Sequence, residues 1–267
     1  EESALLTQTP FTGPHLPMPP HRGSNFNMNF GGDKQVTMQL YEEILTDANT
    51  YGLCVVFHGC TLPRGWQKMY PNYVSSEAVL ASENLIFGQA AEDKHAVAAT
   101  ILPFTRNAVG SMDFAPVFLN KRLSRDQKGG TIRKTTDAFE LATGVLFFSP
   151  IQHFGLTPDN LDQPDYILDF LREVPSVWDE TRYIAGEPLD FCAIARRKGE
   201  KWYVAVVNGE KVQKTKTLDL PMLAGKEVSV LFDQKDRTAG TKKMKINKKG
   251  KLKIDMLPEG GAVIFTD

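Results

Sequence analysis

From Asn25 onward, apolar and polar positions recur in two different rhythms. Phe26 to Phe30 reads as a short strand that ends at Gly31-Gly32. Met38, Leu40, Ile44 and Leu45 then share one side of a predicted helix, with Glu42, Glu43 and Asp47 elsewhere on it; Asn49 to Gly52 ends it. Leu53-Cys54-Val55-Val56-Phe57 is a continuous apolar run, the pattern of a parallel strand buried on both faces. A polar loop follows from His58 to Asn72. Ala99 to Phe104 is a further predicted strand, again with a polar loop after it, through Asp113. Thr131 to Phe148 is predicted as an amphipathic helix closed by Pro150, and Asp165 to Val174 as a shorter one stopped by Pro175. Alternating buried strand, polar loop and helix predicts a parallel sheet covered by helices. Chemistry in such folds gathers at the C-terminal strand ends, here after Phe30, Phe57 and Phe104, together with the stretch from Glu77 to Glu83.

Near Gly186 the period changes to two. Short strands are predicted at 191–196, 202–207, 215–220, 228–232, 244–246, 252–254 and 262–265, with turn residues such as Asn208-Gly209 and Lys249-Gly250 between them. That spacing predicts a small antiparallel β-sandwich. The organisation expected is an irregular arm over 1–24, an α/β domain over 25–185 and an all-β domain over 186–267. Five prolines between Pro10 and Pro20 keep regular structure out of the arm. The lysines between Lys242 and Lys253 alternate with apolar residues, as on the wet face of a strand pair.

Composition removes several classes of function. Lys plus Arg number 31 against 32 for Asp plus Glu, so no strong field recruits nucleic acid or an anionic membrane. No apolar run approaches the roughly 18 residues that span a bilayer. Three cysteines, Cys54, Cys60 and Cys192, make neither a disulfide framework nor a CxxC pair.

The chemistry-bearing residues concentrate after Phe57. His58, Arg64, Trp66, Tyr70 and Asn72 fall in one loop, a mixture that suits sugar recognition: aromatic faces stack on C–H groups, and planar polar groups read hydroxyls. The same residues could equally pack the mouth of the sheet. Glu77 and Glu83 flank an apolar stretch. In a helix, their separation turns them about 240° apart; in a strand it leaves them about 20 Å apart. Joint action therefore needs a bend between them, and without one they are two surface glutamates.

The ordered motifs Phe57-His58-Gly59-Cys60-Thr61-Leu62-Pro63-Arg64-Gly65-Trp66, Tyr70-Pro71-Asn72, Ser76-Glu77-Ala78, Ser82-Glu83, Leu102-Pro103-Phe104-Thr105-Arg106, Met112-Asp113-Phe114, Phe148-Ser149-Pro150 and Trp178-Asp179-Glu180-Thr181 resemble glycoside hydrolase family 97. The resemblance runs from about Gly31 to the C-terminus. It implies the C-terminal part of a (β/α)8 barrel followed by a β-sandwich, in enzymes that cleave α-linked galactosides or glucosides and are periplasmic or secreted. Glu83 matches the general acid. Glu77 and Glu83 match carboxylates at a calcium ion whose other ligands come partly from an N-terminal domain, so an incomplete calcium site is expected. His58, Arg64, Trp66, Tyr70, Asn72, Arg106 and Asp113 become expected substrate contacts.

Inverting members carry a glutamate directly after the histidine. Gly59 stands there, which points to the retaining, α-galactosidase-like branch. Retention needs a second carboxylate as nucleophile. The family places it just before the stretch that here is Phe30-Gly31-Gly32-Asp33, and ungapped counting puts Met28 at that position. Asn27 and Asn29 beside it are no substitute, and Asp33 is better placed as a helix cap. A barrel of roughly 250 residues exceeds the roughly 160 between Asn25 and Ala185. Its open edge would have to be covered by another segment or chain. Two classes stay open: a retaining glycosidase using Glu83 as acid/base, and a weak or inactive remnant that keeps a sugar pocket.

Overall fold

The computed structural model describes residues 34–266 apart from 125 and 127. The expected arm, the strand over 26–30, Met28 and Asp33 lie outside the described residues.

Helix α1 (Gln35–Thr50) buries Leu45 and Ala48. Gly52, at φ +67°, turns the chain into β1 (Val55–Phe57), whose three side chains are all buried. Its neighbour β2 (Tyr73–Ser76) runs parallel to it, and an isolated parallel bridge joins Ser76 to Met112. Short helices α2 (Gln89–Glu92), α3 (His95–Ile101) and α4 (Arg106–Val109) follow, then the two-residue strands β3 (Arg122–Leu123) and β4 (Thr131–Ile132). Helix α5 (Asp137–Leu146) starts where Thr136 accepts a hydrogen bond from the Phe139 N–H at 3.0 Å, an N-cap that satisfies one otherwise free donor. All ten of its residues are buried. Helix α6 (Asp165–Glu173) closes this part, with Ile167, Phe170 and Leu171 inward.

Eight antiparallel strands make the remainder: β5 (Glu180–Glu187), β6 (Phe191–Lys198), β7 (Lys201–Asn208), β8 (Lys214–Asp219), β9 (Glu227–Asp233), β10 (Ala239–Lys245), β11 (Lys251–Met256) and β12 (Gly261–Phe265). Six form a sheet in the order β10-β9-β12-β7-β6-β5, and β8 pairs with β11. Val204, Val206, Val228, Val230 and Ile264 face Leu218, Leu252, Ile254 and Met256 in one apolar cluster, which makes this a sandwich. The opposite face of the large sheet is apolar too. Ala205, Val207, Leu231 and Val263 share a core with Phe139, Leu141, Ala142 and Val145 of α5. At Gly261 the contact is so close that a Cβ would meet the Phe139 Cα at 2.8 Å. Each large side chain in this core contributes about 1.5–3 kcal/mol of burial.

Three expectations need correction, and one strand, β2, was not anticipated. Residues 99–104 are no strand: α3 runs to Ile101 and a 3-10 turn spans Leu102–Phe104. Periodicity cannot separate a short buried strand from a buried helix segment, and the Ala-rich run favours helix. The helix expected from Thr131 starts only at Asp137, because Thr131–Ile132 pairs as a strand and Thr136 caps. Strand β2 was hidden by its serines. The boundary near Ala185 falls inside β5, which begins at Glu180; Gly186, at φ +119°, and a register shift between Tyr183 and Ala185 obscure the alternation there.

Candidate active site

Three parallel backbone segments end side by side. The Glu77 N–H donates to the Phe57 carbonyl at 2.8 Å, and the Asp113 N–H to the Ser76 carbonyl at 3.0 Å. The residues just past β1, past β2 and past Met112 are therefore His58, Glu77 and Asp113, all at the C-terminal strand ends. The His58 Nε2 lies 2.8 Å from Asp113 Oδ2. Its Nδ1 faces Glu77 Oε2 at 3.8 Å and Glu83 Oε2 at 3.7 Å.

The bend that brings Glu83 back to Glu77 lies at Ala78, with φ +42°. A non-glycine residue at positive φ is uncommon, and it turns the chain sharply out of the strand. A 3-10 helix over Ser82–Phe87 then carries Glu83 in its first turn. Ser82 fixes that return: its N–H donates to the Phe114 carbonyl at 3.1 Å and its Oγ to the Ala115 carbonyl at 2.6 Å.

The resulting open cleft, about 420 Å³, is lined by His58, Gly59, Glu77 and Glu83, with Val79, Leu80 and Asn84 around them. Glu77 is 5% exposed, while the Glu83 side chain is 41% exposed. Burial raises the Glu77 pKa, against the Gly59 N–H that donates to Oε2 at 3.1 Å and against His58. The Asp113 hydrogen bond raises the His58 pKa, with burial opposing it and the neighbouring carboxylates assisting. Glu77 Oε1 and His58 Nδ1 are buried with no hydrogen-bond partner among the described residues. Ligand atoms of His58, Glu77 and Glu83 lie within 4.8 Å of one another. The two carboxylates are hard oxygen donors of the kind calcium takes, whereas an imidazole nitrogen belongs to softer ions.

The other expected contacts are placed elsewhere. Arg106 is 5% exposed, and its guanidinium donates to the carbonyls of Ser76 (2.7 Å), Glu77 (3.1 Å), Gly110 (3.2 Å) and Ser111 (2.9 Å). It holds the backbone under the cleft instead of reaching into it. Trp66 and Tyr70 pack with Leu45 and Phe57 in the cluster against α1, and the Tyr70 hydroxyl donates to Glu42. Asn72 donates to the Leu45 carbonyl at 2.8 Å, while its own carbonyl accepts from the Val55 N–H at the start of β1. That is the end of the strand away from His58. Arg64 is not among the cleft-lining residues. Sequence patterning passed over Asn84, which lines the cleft, and His153, whose Nδ1 lies 3.7 Å from Asp113 Oδ1.

Two family models match the chain: "Glycoside hydrolase 97" over residues 21–79, and "Glycosyl-hydrolase 97 C-terminal, oligomerisation" over 177–266. A protein of Streptomyces bingchenggensis named as a probable retaining alpha-galactosidase is 34% identical over 193 residues, covering 72% of this chain and 28% of its own length. A solved beta-arabinopyranosidase is 51% identical with a TM-score of 0.86, covering 89% of this chain and 38% of that one. A family 97 enzyme from Pseudoalteromonas, solved with panose, has a TM-score of 0.73 at 23% identity, covering 87% of this chain and 37% of that one, a likeness of fold. The chain thus spans about a third of the length of these relatives.

Proposed function

Because the chain belongs to glycoside hydrolase family 97, we propose that the cleft is part of a glycosidase active site with Glu83 as its acid/base. The observation that carries this is the convergence of an accessible carboxylate, Glu83, on a half-buried His58 paired with a buried Asp113 at the strand ends. We infer further that β1, β2 and the bridging Met112 are successive strands of a β/α barrel, since such strands run parallel and present their chemistry at this end.

The substrate class follows from stereochemistry. β-L-Arabinopyranosides share the ring-hydroxyl and anomeric geometry of α-D-galactopyranosides and lack only the exocyclic hydroxymethyl group. One site therefore suits both, and the two names carried by the relatives above describe one shape. Glu83 protonates the departing oxygen and later takes a proton from water. Glu77 and Glu83 would hold calcium as two of its six to eight oxygen ligands; the ion would supply positive charge beside the acid/base.

A second reading is favoured by one residue. Met28 stands where the resemblance calls for the nucleophile, and a thioether cannot open a glycosidic bond. On that reading the cleft binds sugar without cleaving it. Assay of aryl α-galactoside and aryl β-L-arabinopyranoside beside Glu83→Gln separates the two. Turnover abolished by the substitution supports the glycosidase; binding without turnover in both proteins supports the sugar-binding chain.

A further inference from the structure

Behind the cleft lies a buried polar pair that the chemistry above does not use. His95 Nε2 is 3.1 Å from Glu140 Oε1, and the two residues are 3% and 1% exposed. An ion pair so buried carries a large desolvation cost, which is tolerated where its remaining bonds are satisfied. Burial opposes the charge on His95, and the facing Glu140 carboxylate outweighs it, so the His95 pKa is raised; that of Glu140 is lowered by the same partnership.

The Thr135 hydroxyl also donates to Glu140 Oε1, and two further contacts of the pair reach one segment. The second oxygen of Glu140 accepts from the Phe118 N–H at 3.0 Å. The His95 ring stacks on Phe114, with centroids 5.7 Å apart and planes at 15°. Phe114 and Phe118 are the two ends of a stretch in which Ala115 and Val117 have φ of +50° and +69°. For a β-branched residue such as Val117 this is a genuine outlier, which persists only where the surroundings over-determine it. Thr143 accepts from the Val117 N–H at 3.1 Å, one turn along α5 from Glu140. The residue before this segment is Asp113, and the segment's carbonyls receive Ser82, the residue before Glu83.

We propose that the His95–Glu140 pair is a positioning element of the cleft, holding the left-handed segment 114–118 so that Asp113 meets His58 and Glu83 returns beside Glu77. Its catalytic meaning rests on the glycosidase reading above, but its structural content does not, so the test has a readout that needs no turnover.

In the full chain labelled with 15N-histidine, the His58 ring signals, assigned with His58→Gln, report its bond to Asp113. Glu140→Asp keeps the charge facing His95 and withdraws the carboxylate by one methylene. It is expected to shift and broaden the His58 Nε2–H signal. Ile167→Ala, a cavity in the same core but on α6, lowers the melting temperature and is expected to leave that signal in place. Where the chain turns over an aryl glycoside, Glu140→Asp lowers kcat about 10- to 100-fold with KM changed less than about twofold, the loss expected from a displacement near 1 Å. A Glu140→Asp protein with an unchanged His58 spectrum overturns the proposal, as does an equal shift in Ile167→Ala. Absence of turnover in every protein removes the glycosidase reading and leaves the spectral result decisive.

Discussion

His58 and Asp113 are 55 residues apart in the chain, yet their Nε2 and Oδ2 atoms are 2.8 Å apart. The bond orients the imidazole so that its other nitrogen faces Glu77 and Glu83. Because the Asp113 hydrogen bond is the main cause of the raised His58 pKa, Asp113→Asn is expected to bring that pKa down. An NMR pH titration of the His58 ring checks it. An unmoved or higher value would refute the assignment.

Arg106 ties four carbonyls; those of Ser76 and Gly110 also accept from the Asp113 N–H and the Asn107 side chain, whereas the Arg106 guanidinium alone links all four. Arg106→Ala is expected to destabilise the chain by about 3 kcal/mol, the order expected for losing several charge-assisted bonds to buried acceptors. Urea denaturation checks it through a lower midpoint. Arg106→Lys recovers only part of the loss, since an ammonium group lacks the planar fork.

Glu92 supplies a pH dependence. Burial pushes its pKa up to about 7, with His95 and the Lys134 N–H opposing. A carboxyl raised in the folded state contributes its stability in full below its ordinary value of 4.5, and loses it as pH rises through about 7. Glu92→Gln is therefore expected to gain on wild type between pH 5 and pH 8.5, by up to about 3 kcal/mol. Melting curves at the two pH values test this; a constant difference would contradict it.

Calcium is expected to have a small effect on this chain. Two carboxylates alone would hold the ion weakly, on the order of a millimolar Kd. At about 1 mM calcium the linkage is then about 0.4 kcal/mol, a melting shift below about 2 °C. Scanning calorimetry with and without the ion, beside Glu77→Gln, measures it. A shift above about 5 °C that vanishes in Glu77→Gln would reveal a complete site.

Much of this architecture was legible in the chain. Period-two alternation marked β8 and β11, whose outer faces are wet, while β6, β7, β9 and β12, buried on both faces, were marked as short apolar runs between turn residues. Val55 to Phe57 announced a buried parallel strand. Glu77 and Glu83 stood out as carboxylates, and the need for a bend between them was readable from their separation. The bend itself was not, since Ala78 carries no sign of a positive φ that tertiary contacts impose. Arg106, Trp66, Tyr70 and Asn72 were legible as unusual residues but not as inward or outward ones, because a loop of that length is free to fold toward the cleft or back over α1. His153 follows Pro150 in a polar stretch, and nothing local ties it to Asp113. Strand β2, with two serines in four residues, hides in the same way: Ser75 and Ser149 share a hydrogen bond at 2.9 Å, so polarity there serves an internal contact.

The close seat of α5 on Gly261 bears on how this chain can be divided. The sheet that looks like a separate module has two apolar faces, and one is filled by a helix from the preceding part. Cutting before Glu180 would leave each product with a raw hydrophobic surface prone to aggregation. Melting of the intact chain is accordingly expected as one cooperative calorimetric transition, and two resolved peaks would disprove it. The joint between the halves is a shared foundation, and any fusion or swap made there must carry α5 along with the strands.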